Sequence, residues 1–417
     1  MLLTYANTVT ITKEMLTQIR EDISSTCRPN WQAHLPRNFG CPEHGKLKAD
    51  QWRTALEFDI PISLIRIKTQ QKPSRNINSD ARLQKLVDHT LDLAMAIAWG
   101  LSRRTSPHHA ERYTFYMTRY VAGIKELFPD FSLKPNHHYA LHILDILLAF
   151  GPLHGTWAFS LERLIGRLQK LNSNSKIGAS CWTSFHFLAN VSLGEMEATA
   201  MSLFCRRQAL IHLITSDRCP PVLQKGWATI AKYLNFDDLN TGLNPAHWPE
   251  ATPRVLSKPI TLDQDIEEEL STLFLSHSDQ NPVSLNANTA FVVESYPVDS
   301  VSYCSFDKSP NHSLIYFRDK VSSQDLSPAQ IRLIFQHYRA VGKDLVCDIF
   351  AAVHRYQPVQ LINDPFAMYP DFRAKIYHKE PHPRVTLIQA SQIYCHANQR
   401  PWTSSQVVMR AIDRVGS

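Results

Sequence analysis

Glycine is scarce in this chain, thirteen in 417 residues, and neither a G-x-x-x-x-G-K nor a G-x-G-x-x-G string occurs. Phosphate-cradling loops and dinucleotide folds need glycine where backbone must approach a phosphate, so both classes are excluded. The eight cysteines stand alone, at Cys27, Cys41, Cys181, Cys205, Cys219, Cys304, Cys347 and Cys395. With no C-x-x-C pair and no regular spacing they do not read as a disulfide framework, and they point to a reducing compartment. Long apolar runs are missing as well. The longest, Leu141 to Phe150, is interrupted by Asp145 and is too short to span a bilayer. Residues 1–20 lack the basic and apolar regions of a secretory signal. No Ser-His-Asp or Cys-His catalytic set and no convincing Lys/Arg-rich import run is found. The sequence therefore predicts a protein that is neither secreted nor membrane-bound.

What is present is an ordinary globular composition, 44% hydrophobic, with a formal charge of +6. That charge permits contact with nucleic acid without requiring it. Periodicity predicts an α+β protein. Helices are expected at 12–23, at 82–101 (where Leu83, Leu86, Val87, Leu91, Ala94, Met95 and Ala98 recur at helical spacing), at 111–128, at 136–150, from Ser160, and at 195–214. The stretches 313–317, 331–338, 345–356, 384–388 and 406–410 are rich in β-branched or aromatic residues and predict strands of a small β-domain, a barrel being one form it could take. The expected organisation is an N-terminal segment and loop at 1–45, a helical domain at 46–235, a linker at 236–288 that is rich in Asn, Pro and acid, and a β-rich domain at 289–417.

Three clusters have the residue types that chemistry needs. In Pro135-Asn136-His137-His138-Tyr139-Ala140-Leu141-His142, His138 and His142 are one helical turn apart and suit two ligands of one tetrahedral zinc. Asp145 follows as a third ligand or an orienter of the rings. The plainer alternative is a set of helix-start histidines with hydrogen-bonding roles. Around Trp157-Ala158-Phe159-Ser160-Leu161-Glu162-Arg163, Glu162 is either a divalent-cation ligand for phosphoryl transfer or a partner of the helix dipole or of Arg163. From His44 to Arg53, the cations Lys46, Lys48 and Arg53 gather around Trp52, a combination suited to a phosphate backbone and a stacked base. The same residues also make a basic loop packed on the next helix. Cys41-Pro42-Glu43-His44 looks like half a metal knuckle with nothing nearby to complete it.

Read together, HGKLKADQWRT (44–54), PNHHYALHILDILLAFGP (135–152), FSLERLIGRLQKLNSN (159–174), GEMEATAM (194–201) and DPFAMYPDF (364–372) resemble the C-terminal part of CACTA-type DNA transposases of the kind abundant in basidiomycete fungi. The resemblance covers residues 25–215 well and the remainder loosely. It implies an RNase H-like domain in which three acids hold two divalent cations, interrupted by a zinc-binding helical insertion. On that map His138 and His142 are the late zinc ligands, with His137 as an alternative register, and Glu162 is the third metal-binding acid. The first two acids and the early Cys pair have no counterpart in this sequence. Magnesium-dependent cleavage would therefore need them from another segment, and the chain alone is expected to be inactive as an enzyme. Residues 179–194, ASCWTSFHFLANVSLG, interrupt the family string and read as a retained intron.

The resulting expectation is a truncated or domesticated transposase relative without catalysis of its own, nuclear by the resemblance and otherwise cytoplasmic. It would have DNA, a missing catalytic segment or a second copy as partner, and structural zinc as cofactor. The alternative is a non-enzymatic nuclear DNA- or chromatin-binding module built from the same parts. A remoter one is a zinc hydrolase using His138, His142 and Asp145, although no H-E-x-x-H string is present.

Overall fold

Thr12 caps the first helix, α1 (Lys13–Ser24), through its hydroxyl oxygen, which accepts the Met15 N–H at 3.2 Å. In the computed structural model the described residues are 11–41, 45–70, 77–156, 252–277, 289–298, 301–319, 325–341 and 344–412, together with Glu43 and the isolated helical positions Cys205, Ala209, His212 and Leu213. The chain divides into two compact units, Met1–Gly155 with Pro249–Ser417, and Thr156–Trp248. This partition differs from the expected one: the early helices and the late strands share a unit instead of forming separate domains.

After α1 come α2 (Ala49–Thr54), a π-helical turn (Ala55–Asp59) and α3 (Ile60–Gln70). The cause of the π turn can be read from the sequence. Pro61 has no N–H to give the carbonyl of Glu57 and its ring crowds that carbonyl, so the helix widens just ahead of it. Then follow α4 (Ile77–Gly100) and α5 (Pro107–Leu127), a packed antiparallel pair. Six of the seven apolar positions predicted for α4 are buried, Ala98 being half-buried. The pair meets closely at its ends, where a Cβ on Gly100 would stand 2.6 Å from the Tyr113 ring.

The sequence predicts one helix over 136–150, and the structure has two, α6 (Pro135–Leu141) and α7 (Ile143–Phe150). His142 sits between them at φ −89° and ψ −1°, bonding back to Tyr139 in a tightened turn. No helix among the described residues is long and apolar enough to cross a membrane.

The remainder of this unit is an antiparallel sheet of ten strands: β1 (Arg254–Thr261), β2 (Thr289–Val298), β3 (Val301–Tyr303), β4 (Leu314–Arg318), β5 (Leu326–Val341), β6 (Asp344–Arg355), β7 (Ala374–His378), β8 (Val385–Gln389), β9 (Ile393–Pro401) and β10 (Gln406–Ile412). The sheet branches at β5. One of its edges pairs with β6, which leads on to β8. The other meets β4 at one end, continuing to β9, β10 and β7, and β2 at the other end, continuing to β1. Helix α8 (Gln264–His277) lies against one face, inserting Ile266 and Leu270 beside the directly opposed pair Phe335 and Phe350. On the opposite face Ile334 and Ala351, neighbours of that pair, join Ile315, Phe317 and Val353 in a second core.

The expected linker at 236–288 therefore holds β1 and α8. Its acidic residues are the outer side of an amphipathic helix whose inner side carries Ile266, Leu270 and Leu273.

Three features join helices to sheet. Cys27 extends β9, exchanging backbone hydrogen bonds with Gln399 at 2.8 and 3.0 Å. The loop after β6 returns to the helices, where Tyr369 donates to Asp88 of α4. In the same loop Asp371 accepts from Tyr116 at 2.7 Å and from Arg112 Nε at 3.1 Å. Burial pushes the Asp371 carboxyl up, and these donors, with Trp99, outweigh it and hold the group below its ordinary value. A buried charge network forms the third link and is described below.

Candidate functional site

The α6–α7 junction brings two of the predicted metal ligands together. His138 is in the last turn of α6 and His142 is the hinge residue, so their rings meet edge to face with Nε2 atoms 3.1 Å apart, both exposed. Two nitrogens on one tetrahedral zinc, each about 2.0–2.1 Å from the ion, are roughly 3.3 Å apart. The pair fits half of such a site once both ring protons move to Nδ1.

His137 does not share it. Its Nδ1 accepts the Lys134 N–H at 2.9 Å and closes the start of α6, and the ring turns toward Phe131. The structure thus separates the two registers that the sequence leaves open. Asp145 does not complete the pair either: among the described residues no group of three His, Cys, Asp or Glu side chains is placed to hold a metal. The break at His142 is the reason, since it puts Asp145 on a new helix axis instead of one turn further along the old one. Glu162 and the segment 179–194, with Trp182, Phe185 and Phe187, lie outside the described residues.

The basic loop divides into unlike parts. Lys46 and Lys48 are exposed, and among the described residues neither makes an ion pair. Arg53 is committed to Glu57 at 2.7 Å, which removes much of its value for phosphate. Trp52 is 44% exposed, with part of its indole lining an apolar hollow of about 310 Å³. Leu56, Leu86, His89, Tyr120, Phe128 and His137 also line that hollow. The indole is therefore shared between packing and solvent.

Compared with known proteins, the chain matches no family model, no curated protein and no solved structure.

The most highly organised polar cluster is one that sequence reasoning missed. Asp59, fully buried in the π turn, accepts from Arg28 Nη1 and Nη2 at 2.9 and 2.7 Å, and also from Arg400 of β9. Arg400 donates further to Thr26 Oγ1 at 2.8 Å, Ser63 Oγ at 2.8 Å and the Asp59 carbonyl at 3.1 Å. Burial pulls the Arg400 guanidinium below its ordinary value, while Asp59 and Asp22 act to keep it charged. Arg66 pairs with Asp22 at 2.6 Å. The Glu57 carbonyl, orphaned by Pro61, receives Arg410 Nη1 at 2.6 Å. One signal was available: a lone carboxylate in the apolar run Phe58-Asp59-Ile60-Pro61-Ile62 must be paired if that run is buried. Its partners, Arg28 at 31 residues and Arg400 at 341, leave no local mark. The cluster ties the π turn to the N-terminal segment and to β9, and works as an internal clamp.

Proposed function

We propose that this chain is a DNA-binding relative of the CACTA-type cut-and-paste transposases, braced by zinc at the α6–α7 junction. The observation that supports this reading is the approach of His138 Nε2 and His142 Nε2 to 3.1 Å, at the positions where the resemblance puts the late zinc ligands. The remaining ligands would come from another part of the same polypeptide. Zinc there would be structural, tying the exposed junction to whatever supplies the other ligands.

On this reading residues 46–235 correspond to the helical insertion and the end portion of an RNase H-like domain. Glu162 keeps the place of the third metal-binding acid, and strand transfer with Mg²⁺ would need further acids from another segment. Lys46 and Lys48 would meet the phosphate backbone beside the indole of Trp52, and the site of action would be the nucleus. The hydrolase alternative needs a third ligand beside the His pair, and nothing observed favours it.

Two measurements test the proposal on the full chain. Zinc content after dialysis, read by atomic absorption with cobalt substitution as the optical check, should be near one ion per chain and should be lost in the double variant His138→Ala, His142→Ala. Anisotropy of a labelled duplex should show binding that weakens with salt, and the Lys46→Ala, Lys48→Ala pair should lower the log–log salt slope by up to about 2. A chain that takes up neither zinc nor cobalt, or one whose DNA affinity ignores salt, overturns it.

A further inference from the structure

We infer that a polar cleft of about 570 Å³, at the corner where β1, β2, β3 and the 304–312 turn meet, is a binding site for a phosphate ester that also carries a hydrogen-bond donor, such as a nucleoside monophosphate. The inference stands apart from the transposase reading and uses none of its residues.

Segments far apart in sequence build the cleft: Arg254 from β1, Glu294 and Ser295 from β2, Ser302 from β3, Cys304, Lys308, Ser309 and His312 from the turn, and Asn30 from the N-terminal loop. Glu294 Oε2 lies 3.2 Å from Arg254 Nε and 3.3 Å from Lys308 Nζ, so one carboxylate oxygen positions two cations side by side. The pair of cations exceeds it by one positive charge. Arg254 spends Nε on Glu294, which leaves Nη1 and Nη2 for a second anion, and Lys308 keeps ammonium protons in reserve. Side-by-side guanidinium and ammonium groups are a phosphate receptor, the first by its fork and the second as a point charge. Of the hydrogen-bonded Ser295 and Ser302 hydroxyls one keeps a proton to donate, and Ser309 adds another neutral donor to the lining.

The opposite polarity comes from His312. Its Nδ1 lies 3.1 Å from the Ser302 carbonyl oxygen, and a carbonyl can only accept, so the ring proton is on Nδ1. Nε2 is then a lone-pair acceptor. The ring is held from behind by His396, edge-on with centroids 5.5 Å apart. His396 in turn accepts from Trp31 Nε1 at 3.3 Å and stacks on Tyr303. Burial pulls the His312 ring below its ordinary value, with the Ser302 carbonyl opposing. A cleft lined both by two cations and by a neutral acceptor suits a ligand that has an anionic group and a hydrogen-bond donor. An inorganic anion would satisfy only the first half.

Cys304 forms part of the wall. Burial pushes its thiol up, so it is a weak donor rather than a nucleophile. The site is therefore assigned binding and no reaction.

The test is isothermal titration calorimetry of the full chain at low ionic strength with three probes: adenosine monophosphate, inorganic phosphate and adenosine. The monophosphate should bind in the micromolar to millimolar range, phosphate at least tenfold more weakly and adenosine more weakly still. Arg254→Met with Lys308→Met should weaken the monophosphate by tenfold or more. His312→Phe should bring the monophosphate down to the affinity of phosphate while leaving phosphate itself unmoved. Both cations are largely exposed, at 62% and 43%, so the double variant should keep the near-ultraviolet circular dichroism of the parent. If it does not, Arg254→Lys, which keeps the charge and loses the fork, should still cost several-fold. No heat with any probe, equal affinity for phosphate and monophosphate, or indifference to the Arg254 variants would each overturn the assignment.

Discussion

Acid should weaken this fold through one imidazole. His396 is buried on β9, accepts the Trp31 N–H at Nδ1 and stacks on Tyr303 with ring centroids 4.2 Å apart. Burial, assisted by the nearby His312, pulls its pKa down to about 3. The unfolded chain restores an ordinary histidine near 6.5. A base whose folded-state pKa is depressed gives its full stability above the unfolded value. It loses that stability as pH falls from about 6.5, and the loss levels off near 3. Between pH 7.5 and pH 5 the gap of about 1.5 pH units corresponds to about 2 kcal/mol, at 1.36 kcal/mol per unit.

The assay is urea unfolding of the full chain at both pH values, for the parent and for His396→Gln. Gln can still accept from Trp31 but does not titrate. Its loss of stacking costs the same at both pH values and cancels, as do the titrations of other groups. The parent should lose about 2 kcal/mol more than the variant on acidification. A difference under about 0.5 kcal/mol, or a His396 ring proton that titrates near 6.5 by NMR, would refute the reasoning.

Asp59→Asn leaves two buried guanidinium groups short of their anion and should cost about 3–5 kcal/mol, whereas converting Asp59, Arg28 and Arg400 together to apolar residues of similar volume should cost much less, both read by denaturant unfolding. Arg410→Met strands the Glu57 carbonyl and should cost about 2 kcal/mol; adding Pro61→Ala, which restores an N–H to that carbonyl, should return part of the loss in a double-mutant cycle. Asp92 runs opposite to His396: burial raises its carboxyl to about 6, with Arg119 opposing and Asp88 adding. The stability tied to its proton is present below about pH 4 and lost as pH rises through 6, so Asp92→Asn should stabilise by about 1–2 kcal/mol at pH 7.5 and by nothing near pH 3.5, compared by thermal unfolding at the two pH values.

The long helices were legible because their apolar positions recur at helical spacing; α4 and α5 appear within a few residues of the expected 82–101 and 111–128. The strands rich in β-branched residues were legible for the same kind of reason, with β4, β5, β6, β8 and β10 all anticipated. Failures came where composition hid pattern. The acidic residues of 263–269 masked the inner stripe of α8, and Pro259 made β1 look like linker. At the candidate site, the spacing of His138 and His142 was readable, but the break at His142 was not. A junction of that kind depends on how two helices pack, and it decides that Asp145 is left out. The buried network was invisible because Asp59 meets Arg400 only across hundreds of residues.

That distance has a consequence for synthesis. Thr26 and Arg400, hydrogen-bonded in the finished molecule, are 374 residues apart in sequence, with a separate compact unit encoded between them. At roughly 5–20 residues per second, a ribosome needs about 20 to 75 s to deliver the second after the first. Throughout that interval Asp59 stands without one of its two arginines, and the Glu57 carbonyl has no donor. The first 155 residues must wait as an unfinished half, with polar groups hydrated and apolar faces open. In this protein the early helices can complete their folding only after Arg400 and Arg410 have been synthesised.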